Sequence, residues 1–235
     1  MIMRLQALGV RGGLSALALA MAICGPAPRA MAQDAPAPAG EREHFFLRLG
    51  YGLVQYETSG RASVFGTPVD NAKIAFGQHS SAIFEAGWRF APSWSVSVLT
   101  GLPPTVGLEG RGAFEPFGRL SKVTYGSTML GLQYHPLQFG RFDPYVGAGI
   151  DHTAILNTSG GSLPGLQVKD AFGPVLQAGF EFGLTENLAF YADLRKVWLK
   201  FRAKAMVPDP VAPYPVQVTV TPNPTVFSIG LTYRF

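Results

Sequence analysis

The sequence predicts an all-β fold, an eight-stranded antiparallel up-and-down transmembrane β-barrel, on three observations. Apolar and polar residues alternate in several segments of about ten residues, the length that a tilted strand needs to cross a bilayer. The connections between these segments are alternately short and long. After residue 32, no apolar stretch reaches the roughly 18 residues that a membrane-spanning helix requires. This excludes a membrane protein built from helices.

The N-terminal 32 residues have the three-part layout of a secretory signal peptide. Arg4 and Arg11 form a basic start, and Leu14 to Ile23 is an apolar stretch too short to span a bilayer. Ala30-Met31-Ala32 supplies a small-x-small cleavage pattern. We therefore expect Sec-type export and a mature chain that begins at residue 33. A lipoprotein signal at Cys24 is the alternative, but Ile23 stands where such signals have a small residue.

Cleavage after residue 32 changes the charge and cysteine content. It removes Arg4, Arg11 and Arg29, so 16 basic and 15 acidic side chains remain, a net charge of +1. A nucleic-acid partner is not expected from so small an excess. It also removes Cys24, the only cysteine, so disulfides cannot stabilise the exported chain. Residues 33–44 are rich in Pro, Ala and charge, and we expect a periplasmic leader there, followed by one barrel domain over 45–235.

Eight segments follow the two-residue period of a strand, most regularly in the first, second and last three. In chain order they are Leu47–Val54, Ser81–Phe90, Trp94–Leu102, Val123–Tyr134, Tyr145–Leu156, Leu176–Leu184, Leu188–Arg195 and Phe227–Phe235.

The connections predict which end of the barrel faces the periplasm. Short turns are expected at 91–93, 136–143 and 185–187. Long polar or Gly/Pro-rich loops are expected at 58–79, 103–120, 157–169 and 205–215. Barrels of the outer membrane have short periplasmic turns and long outer loops. The pattern therefore predicts a chain in the cell outer membrane, surrounded by its lipid.

The last nine residues, FSIGLTYRF, form a strand without a polar tail. Ile229, Leu231, Tyr233 and Phe235 share one face by the two-residue period. In a closed barrel this strand pairs with the first, so a terminal aromatic ring lies at the membrane boundary. The pattern also resembles the signal by which the barrel-assembly machinery recognises its clients, so we expect that machinery as a partner.

The opposite faces of the strands turn toward the axis and carry most of the charge. An eight-stranded lumen is only wide enough for side chains, and isolated buried charge is costly. We therefore expect a paired network that acts as a structural plug, with Glu85 and Arg89 as partners; a gated polar constriction is the alternative. Its members are Arg48, Glu85, Arg89, Glu181, Asp193, Arg195 and Arg234. The same parity defines a candidate apolar path formed by Val54, Ile83, Leu99, Met129 and Val226.

Sequence motifs for a metal, a cofactor or catalysis are weak. The four histidines, His44, His79, His135 and His152, lack metal-ligand spacing and are expected at interfaces or in loops, so no metal or cofactor is predicted. Trp88, Trp94 and Trp198 are expected to anchor the aromatic belt. His79-Ser80-Ser81 is a His-x-Ser pair of the kind used by small barrels that deacylate lipid A. An esterase would need His79 to accept the Ser81 proton, with Glu85 orienting the ring; we do not expect an enzyme.

Several stretches are similar to the outer-membrane protein W family of small Gram-negative barrels. The similar segments are WRFAPSWSVSVL from Trp88, DPYVGAG from Asp143, Gly173 to Gly179, DLRKVW from Asp193 and the terminal YRF. The resemblance covers about residues 45–235. His152 departs from it, because an aromatic residue is expected there, and the loops are not recognisable.

This resemblance implies a narrow barrel with a largely apolar interior and an opening in its wall. It implies passive, porin-like passage of small hydrophobic molecules sideways into the bilayer. A structural barrel whose outer loops bind a partner is the first alternative, and a lipid-A esterase is the second.

Overall fold

The computed structural model describes residues 44–57, 60–137, 140–162, 166–207 and 214–235. The predicted signal peptide and the leader up to residue 43 lie outside these ranges. Strands dominate the described residues, with one short 3-10 turn at Glu115–Phe117. None of the helical structure in these ranges is long and apolar enough to cross a membrane.

The described strands are numbered here in chain order. They are β1 (His44–Gln55), β2 (Arg61–Val64), β3 (Thr67–Val69), β4 (Ala72–Phe76), β5 (His79–Ala91), β6 (Trp94–Gly101), β7 (Thr105–Gly112), β8 (Arg119–Tyr134), β9 (Phe142–Ser159), β10 (Gln167–Val168), β11 (Ala171–Gly183), β12 (Leu188–Val197), β13 (Phe201–Val207), β14 (Tyr214–Val220) and β15 (Thr225–Arg234).

Eight of these strands close into an antiparallel barrel in the order β1, β5, β6, β8, β9, β11, β12 and β15. The last strand, β15, pairs with β12 on one side and with β1 on the other, from Phe46↔Arg234 to Gln55↔Thr225. The predicted eight-stranded barrel is thus confirmed. Closure gives each of the eight strands a hydrogen-bonded neighbour on both sides, which matters because an unpaired backbone group within the membrane is very costly.

The outer surface of the barrel is apolar and its interior is polar at the periplasmic end. On β1, Leu47, Leu49 and Leu53 are 50%, 58% and 50% exposed, whereas Arg48 between them is 2% exposed. This arrangement is the reverse of a water-soluble sandwich, whose apolar faces pack inside. Lipid is therefore the solvent of the outward face.

An aromatic girdle surrounds the periplasmic rim. Phe45 stacks on Trp88 with ring centroids 6.2 Å apart, and Trp94 lies 4.8 Å from Tyr134. The terminal Phe235 donates its backbone N–H to the carbonyl oxygen of Phe45 at 3.0 Å. Ile229, Leu231, Tyr233 and Phe235 all face outward, as their parity predicts. Aromatic rings at this level anchor a barrel in the interface.

The long connections contain more strand than their composition predicts. Strands β4 and β7 and the upper parts of β8 and β9 continue one wall of the barrel outward. Strands β10, β13, β14, β2 and β3 form a second sheet. The inner faces of the two sheets pack together, which explains why these segments are extended. The buried core contains Ala62, Ile74, Leu108, Leu120, Ala203, Val216, Val218 and Val220.

One predicted turn ends earlier than expected. The sequence predicts a connection at 136–143, but β9 begins at Phe142. Asp143 is therefore a strand residue, paired with Glu181 of β11, and its side chain points into the barrel. The following Pro144 misled the prediction, because proline usually marks a turn.

Candidate functional site

The lower half of the lumen is filled by an ion-pair network centred on Arg48. Its guanidinium Nε and Nη2 donate to Glu181 Oε1 at 3.0 and 2.6 Å, and Nη1 donates to Glu85 Oε2 at 3.2 Å. The side chains of Arg48 and Glu181 are 1% and 2% exposed. Two-residue periodicity places these side chains inside, and strand pairing sets Arg48 directly opposite Glu85.

Aromatic rings surround the same guanidinium. Its carbon lies 4.7 Å from the ring centroid of Phe46, 4.9 Å from Tyr145 and 5.4 Å from Tyr191. Cation–π attraction is strengthened when the cation is desolvated, as it is here. Tyr191 fits because Gly50 and Gly230 have no side chain. A Cβ at Gly50 would lie 2.2 Å from the Tyr191 hydroxyl, and one at Gly230 would lie 2.8 Å from its ring.

Glu85 is the second hub of the network. It accepts hydrogen bonds from Arg195 Nη2 at 3.0 Å, Ser97 Oγ at 2.6 Å and Gln133 Nε2 at 3.0 Å. The predicted pair of Glu85 with Arg89 is wrong. Although both residues face inward on β5, the tilt of the strands brings Arg48 and Arg195 nearer to this carboxylate.

Asp193 completes the central layer. It accepts hydrogen bonds from Tyr145 at 2.8 Å and from Gln177 at 2.6 Å. Its second oxygen lies 3.1 Å from Arg195 Nη1, an electrostatic contact without hydrogen-bond geometry. Tyr145 and Tyr191 were missed as plug residues, although the two-residue period places Tyr191 on the same face as Asp193.

Arg89 belongs to a separate cluster at the periplasmic end. It donates to Asp143 at 2.6 Å, and His135 Nδ1 lies 2.9 Å from the other oxygen of that carboxylate. His135 lies just after the end of β8, outside the strands as expected, and its side chain is 2% exposed. The remaining predicted member, Arg234, is bonded to Glu181. The sequence predicts that strand β9 begins at Tyr145. A start two residues earlier would have placed Asp143 on the inward face, because residues two apart in a strand share a face.

The plug is balanced in charge. The sequence predicts four basic and three acidic members, and Asp143 adds the fourth carboxylate. The four arginines of the plug are therefore matched by four carboxylates. Among the buried side chains that the structure describes, only the Tyr191 hydroxyl and one oxygen of Asp193 lack a hydrogen-bond partner, so paired polar groups fill this part of the lumen.

An apolar chamber lies directly above the plug. Its volume is about 150 Å³, and it extends from Met129 and Val197 to the core between the two outer sheets. Val54, Ile83, Leu99, Met129 and Val226, the candidate path residues, contact one another in its wall. At its floor, Ser127 and Thr153 donate hydrogen bonds to the buried Asp151, the latter at 2.6 Å.

One side of the chamber has a small polar cluster. The ring nitrogens of His79 each lie 3.2 Å from a tyrosine hydroxyl, Tyr56 at Nδ1 and Tyr125 at Nε2. Ser81 instead donates to the carbonyl oxygen of Leu102 at 2.8 Å. Glu85 belongs to the plug. The structure therefore does not bring together the nucleophile, base and acid that an esterase would require.

The barrel wall is interrupted beside this cluster. Leu102 donates its N–H to the carbonyl oxygen of Ala82, and the next backbone hydrogen bond toward the outside is from Gly77 N–H to the carbonyl oxygen of Gly107 at 3.3 Å. Between these two hydrogen bonds, no backbone hydrogen bond joins 78–81 to 103–106 in the part of the chain that the structure describes. Pro103 and Pro104 cannot donate one because they lack an N–H. We call this interruption the wall gap.

A polar clasp joins the outer ends of β1, β12 and β15. Lys196 donates to Glu57 at 2.7 Å and to the carbonyl oxygen of Asn223 at 2.8 Å. Asn223 in turn donates to Glu57 at 3.0 Å. The hydrogen bonds from Lys196 and Asn223 lower the pKa of the exposed Glu57 carboxyl. Glu57 is therefore ionised and the clasp is fully formed above the usual carboxyl pKa. The hydrogen bonds to its carboxylate are lost as the pH falls through the lowered pKa of Glu57.

The closed barrel, lipid-facing girdle, polar plug and apolar chamber define a small outer-membrane β-barrel protein. Residues 41–235 match the model of the OmpW family. The chain therefore belongs to the OmpW family and lies in the outer membrane.

Two curated relatives illustrate the sequence similarity. Outer membrane protein AlkL of Ectopseudomonas oleovorans is 28% identical over 179 residues, which cover 76% of each chain. The dibenzothiophene metabolism operon protein PahQ of Pseudomonas aeruginosa is 26% identical over 195 residues, 83% of this chain and 90% of PahQ.

Two solved structures share the fold. The crystal structure of OprG from Pseudomonas aeruginosa matches with a TM-score of 0.77 at 21% identity, over 83% of this chain and 97% of OprG. The solid-state NMR structure of AlkL in lipid bilayers matches with a TM-score of 0.67 at 25% identity, over 87% of this chain and 97% of AlkL.

Proposed function

We propose that the protein provides passive passage for small, uncharged hydrophobic molecules, which occupy the apolar chamber and leave sideways through the wall gap. The main supporting observation is the position of the chamber. It lies immediately above a filled, charge-balanced plug. An apolar molecule within the chamber therefore has no favourable route along the barrel axis toward the periplasm. Below the chamber, the described residues form buried ion pairs and hydrogen-bonded polar side chains, and buried ion pairs are costly to separate.

The chamber suits a ligand of about one aromatic ring. An engineered apolar cavity of about 150 Å³ in another protein stays dry and binds benzene or xenon. The present chamber has a similar volume and is lined mainly by aliphatic side chains and Phe76, Phe114 and Phe201. Transfer of an apolar molecule from water into such a space is favourable by about 25 cal/mol per Å² of buried area.

The wall gap supplies the sideways exit. It adjoins the chamber, because Ser81, Leu102, Pro104 and Val106 contribute to both. On its outer side, Leu102 is 58% exposed. The main cost of opening a barrel wall is that broken backbone hydrogen bonds are exposed to lipid. Two strand segments that share no backbone hydrogen bond can separate without this cost.

The names of two relatives agree with this substrate class. PahQ and DoxH are dibenzothiophene metabolism operon proteins. Dibenzothiophene is an uncharged aromatic compound with three fused rings. It is larger than the chamber, so passage of such a molecule would require the two outer sheets to separate.

A matched pair of tryptophan variants tests the proposal. Met129→Trp places an indole in the chamber, whereas Leu130→Trp places it on the lipid-facing side of the same strand, where Leu130 is 54% exposed. Toluene uptake is measured in cells that lack the native gene and express each variant. We expect Met129→Trp to reduce protein-dependent uptake at least fivefold and Leu130→Trp to leave it within twofold.

Two results would contradict passage through the chamber. The first is toluene uptake that is equal with and without the wild-type protein. The second is equal uptake by the two tryptophan variants. Surface amount and unboiled gel mobility are compared first, so that a loss of folded protein is not counted as a loss of passage.

A further inference from the structure

Three polar side chains form a closed hydrogen-bonded group in the mainly apolar chamber wall. They are Tyr56, His79 and Tyr125, and we call them the His79 cluster. Tyr56 Oη lies 3.2 Å from His79 Nδ1, and Tyr125 Oη lies 3.2 Å from His79 Nε2. The two tyrosine hydroxyls also hydrogen-bond each other. All three residues are half-buried, so a molecule in the chamber can reach them.

The other polar side chains of the described chamber wall hold fixed partners. Ser81 donates its hydroxyl hydrogen to the carbonyl oxygen of Leu102 at 2.8 Å. Ser127 and Thr153 both donate to Asp151, which is 0% exposed. Their hydrogens are therefore already used by acceptors of the protein, and the Asp151 carboxylate is out of reach. By contrast, the members of the His79 cluster hydrogen-bond one another while facing the chamber.

The hydrogens of the His79 cluster match its contacts in number. A neutral imidazole has one N–H donor and one acceptor nitrogen, and each tyrosine has one O–H. Three hydrogens therefore serve three contacts, in a closed cycle that leaves no donor unused. Among the described residues, no carboxylate forms an ion pair with His79, so no ion-pair partner stabilises its charged form. The cycle is thus complete when the imidazole is neutral.

The His79 cluster also links the two flanks of the wall gap. His79 belongs to 78–81, on one flank. Tyr125 is attached to the other flank, because its backbone N–H donates to the carbonyl oxygen of Pro104 at 3.2 Å. The side-chain contact between His79 and Tyr125 therefore joins two segments that share no backbone hydrogen bond in the described chain. A molecule that leaves the chamber through the wall gap passes this contact.

A hydroxyl group is the ligand chemistry that such a cycle can admit. It brings one donor and one acceptor, so between Tyr56 and Tyr125 it accepts from one tyrosine and donates to the other. Four hydrogens then serve four contacts. An ether oxygen only accepts and a methyl group does neither, so each would leave the cycle open at that point. A site that hydrogen-bonds a hydroxyl discriminates strongly against an analogue that lacks it.

We propose that the His79 cluster recognises the hydroxyl group of small phenols and so selects them among the aromatic molecules that enter the chamber. This inference rests on the proposed function, because it requires solutes to occupy the chamber. The chamber volume suits one aromatic ring. A single ring with one hydroxyl group satisfies both the apolar wall and the cluster, as an apolar pocket with a few placed polar groups does for its ligand.

The test uses two solutes of the same shape, p-cresol and p-xylene, which differ by a hydroxyl in place of a methyl group. The protein, purified from outer membranes in detergent, carries isotope-labelled methionine methyl groups and is titrated at about pH 8, where an imidazole is neutral. The NMR signal of the Met129 methyl reports binding in the chamber. Met206, which is 45% exposed on β13, is the internal control.

Two variants of the same strand are compared. Tyr125→Phe removes one hydroxyl of the His79 cluster and keeps the ring. Tyr134→Phe makes the same change on the lipid-facing side of β8, where Tyr134 is 38% exposed. We expect Tyr125→Phe to weaken p-cresol binding at least fivefold, as the loss of about one hydrogen bond would. Its binding of p-xylene, and the binding of both solutes by Tyr134→Phe, should stay within twofold of the wild type.

A third solute tests the requirement for both a donor and an acceptor. p-Methylanisole accepts a hydrogen bond but cannot donate one, so its affinity should change as little as that of p-xylene in Tyr125→Phe. Equal losses for p-methylanisole and p-cresol would overturn the proposal. Unaltered p-cresol binding in Tyr125→Phe would also overturn it.

Unboiled gel mobility verifies folding before the titration. If Tyr125→Phe does not fold, Tyr56→Phe is used, and the same loss of p-cresol binding is expected. Binding of p-xylene separates this inference from the proposed function. If p-xylene shifts the Met129 signal while the variant leaves p-cresol binding unchanged, only hydroxyl recognition fails. If neither solute shifts that signal in the wild type, both proposals fail.

Discussion

Arg48 is the residue around which the lower lumen is organised. Its guanidinium contacts two carboxylates and three aromatic rings while its side chain is 1% exposed. A buried cation is tolerated only when its charge and donors are satisfied, and here Glu85 and Glu181 do so. Glu181 also binds Thr232 and Arg234. This one carboxylate therefore connects β1, β11 and β15.

Replacement of Glu181 tests the energetic role of this burial. Glu181→Ala leaves Arg48 and Arg234 without a shared partner, and we expect a loss of about 3–5 kcal/mol in the free energy of unfolding. Glu109→Ala removes the exposed ion pair with Arg119, where a loss below about 1 kcal/mol is expected because water screens both charges. Urea unfolding in lipid vesicles measures both. Similar losses would show that burial does not strengthen the Glu181 contacts.

At the scale of the element, the barrel strands differ in how far their pairing continues. Strands β8 and β9 pair continuously from Tyr134↔Val146 to Lys122↔Ser159. The pairing of β5 with β6 ends at Ile83↔Gly101. The cause is local, since Pro103 and Pro104 end the extended ladder. Wall continuity is therefore a property of individual strand pairs.

Restoring backbone donors in the wall gap tests its proposed role as the exit. Pro103→Val/Pro104→Val permits a continuous strand that can pair with 78–81, since valine favours extended structure. We expect toluene uptake to fall at least threefold. Pro136→Ala, in a periplasmic turn, is the control and should leave uptake unchanged. Unaltered uptake in the double variant would place the exit elsewhere.

At the scale of the whole molecule, the barrel is divided into two layers. The periplasmic half is filled by balanced charge, and the outer half encloses an apolar chamber. The first layer stabilises the closed barrel, and the second offers space for apolar solutes. Together they favour hydrophobic molecules over ions, because an ion would have to leave water, cross the apolar chamber and then displace buried ion pairs.

Planar-bilayer recordings test this division. We expect the wild-type barrel to show no open-channel conductance comparable to a water-filled porin, because paired side chains fill the lower lumen among the described residues. Arg48→Ala/Glu181→Ala removes the centre of the plug and should produce measurable ion conductance. A large stable conductance in the wild type would contradict a filled lumen. An unchanged double variant would show that other residues close it.

The sequence alone determined the barrel and much of its interior, because a strand has a strict two-residue period. Lipid-facing residues such as Leu231 and lumen residues such as Arg48, Glu85 and Met129 follow from parity alone. The period acts within one strand and needs no knowledge of its neighbours.

Partners across the barrel were decided only by the tertiary structure. Glu85 binds Arg48 and Arg195, 37 and 110 residues away, rather than Arg89 on its own strand. The outer loops form sheets because the apolar inner faces of these sheets pack against each other. His135 is buried beside Asp143, which is its ion-pair partner across the connection. Strand tilt and register set these long-range contacts. They depend on how all eight strands close together, which local alternation does not specify.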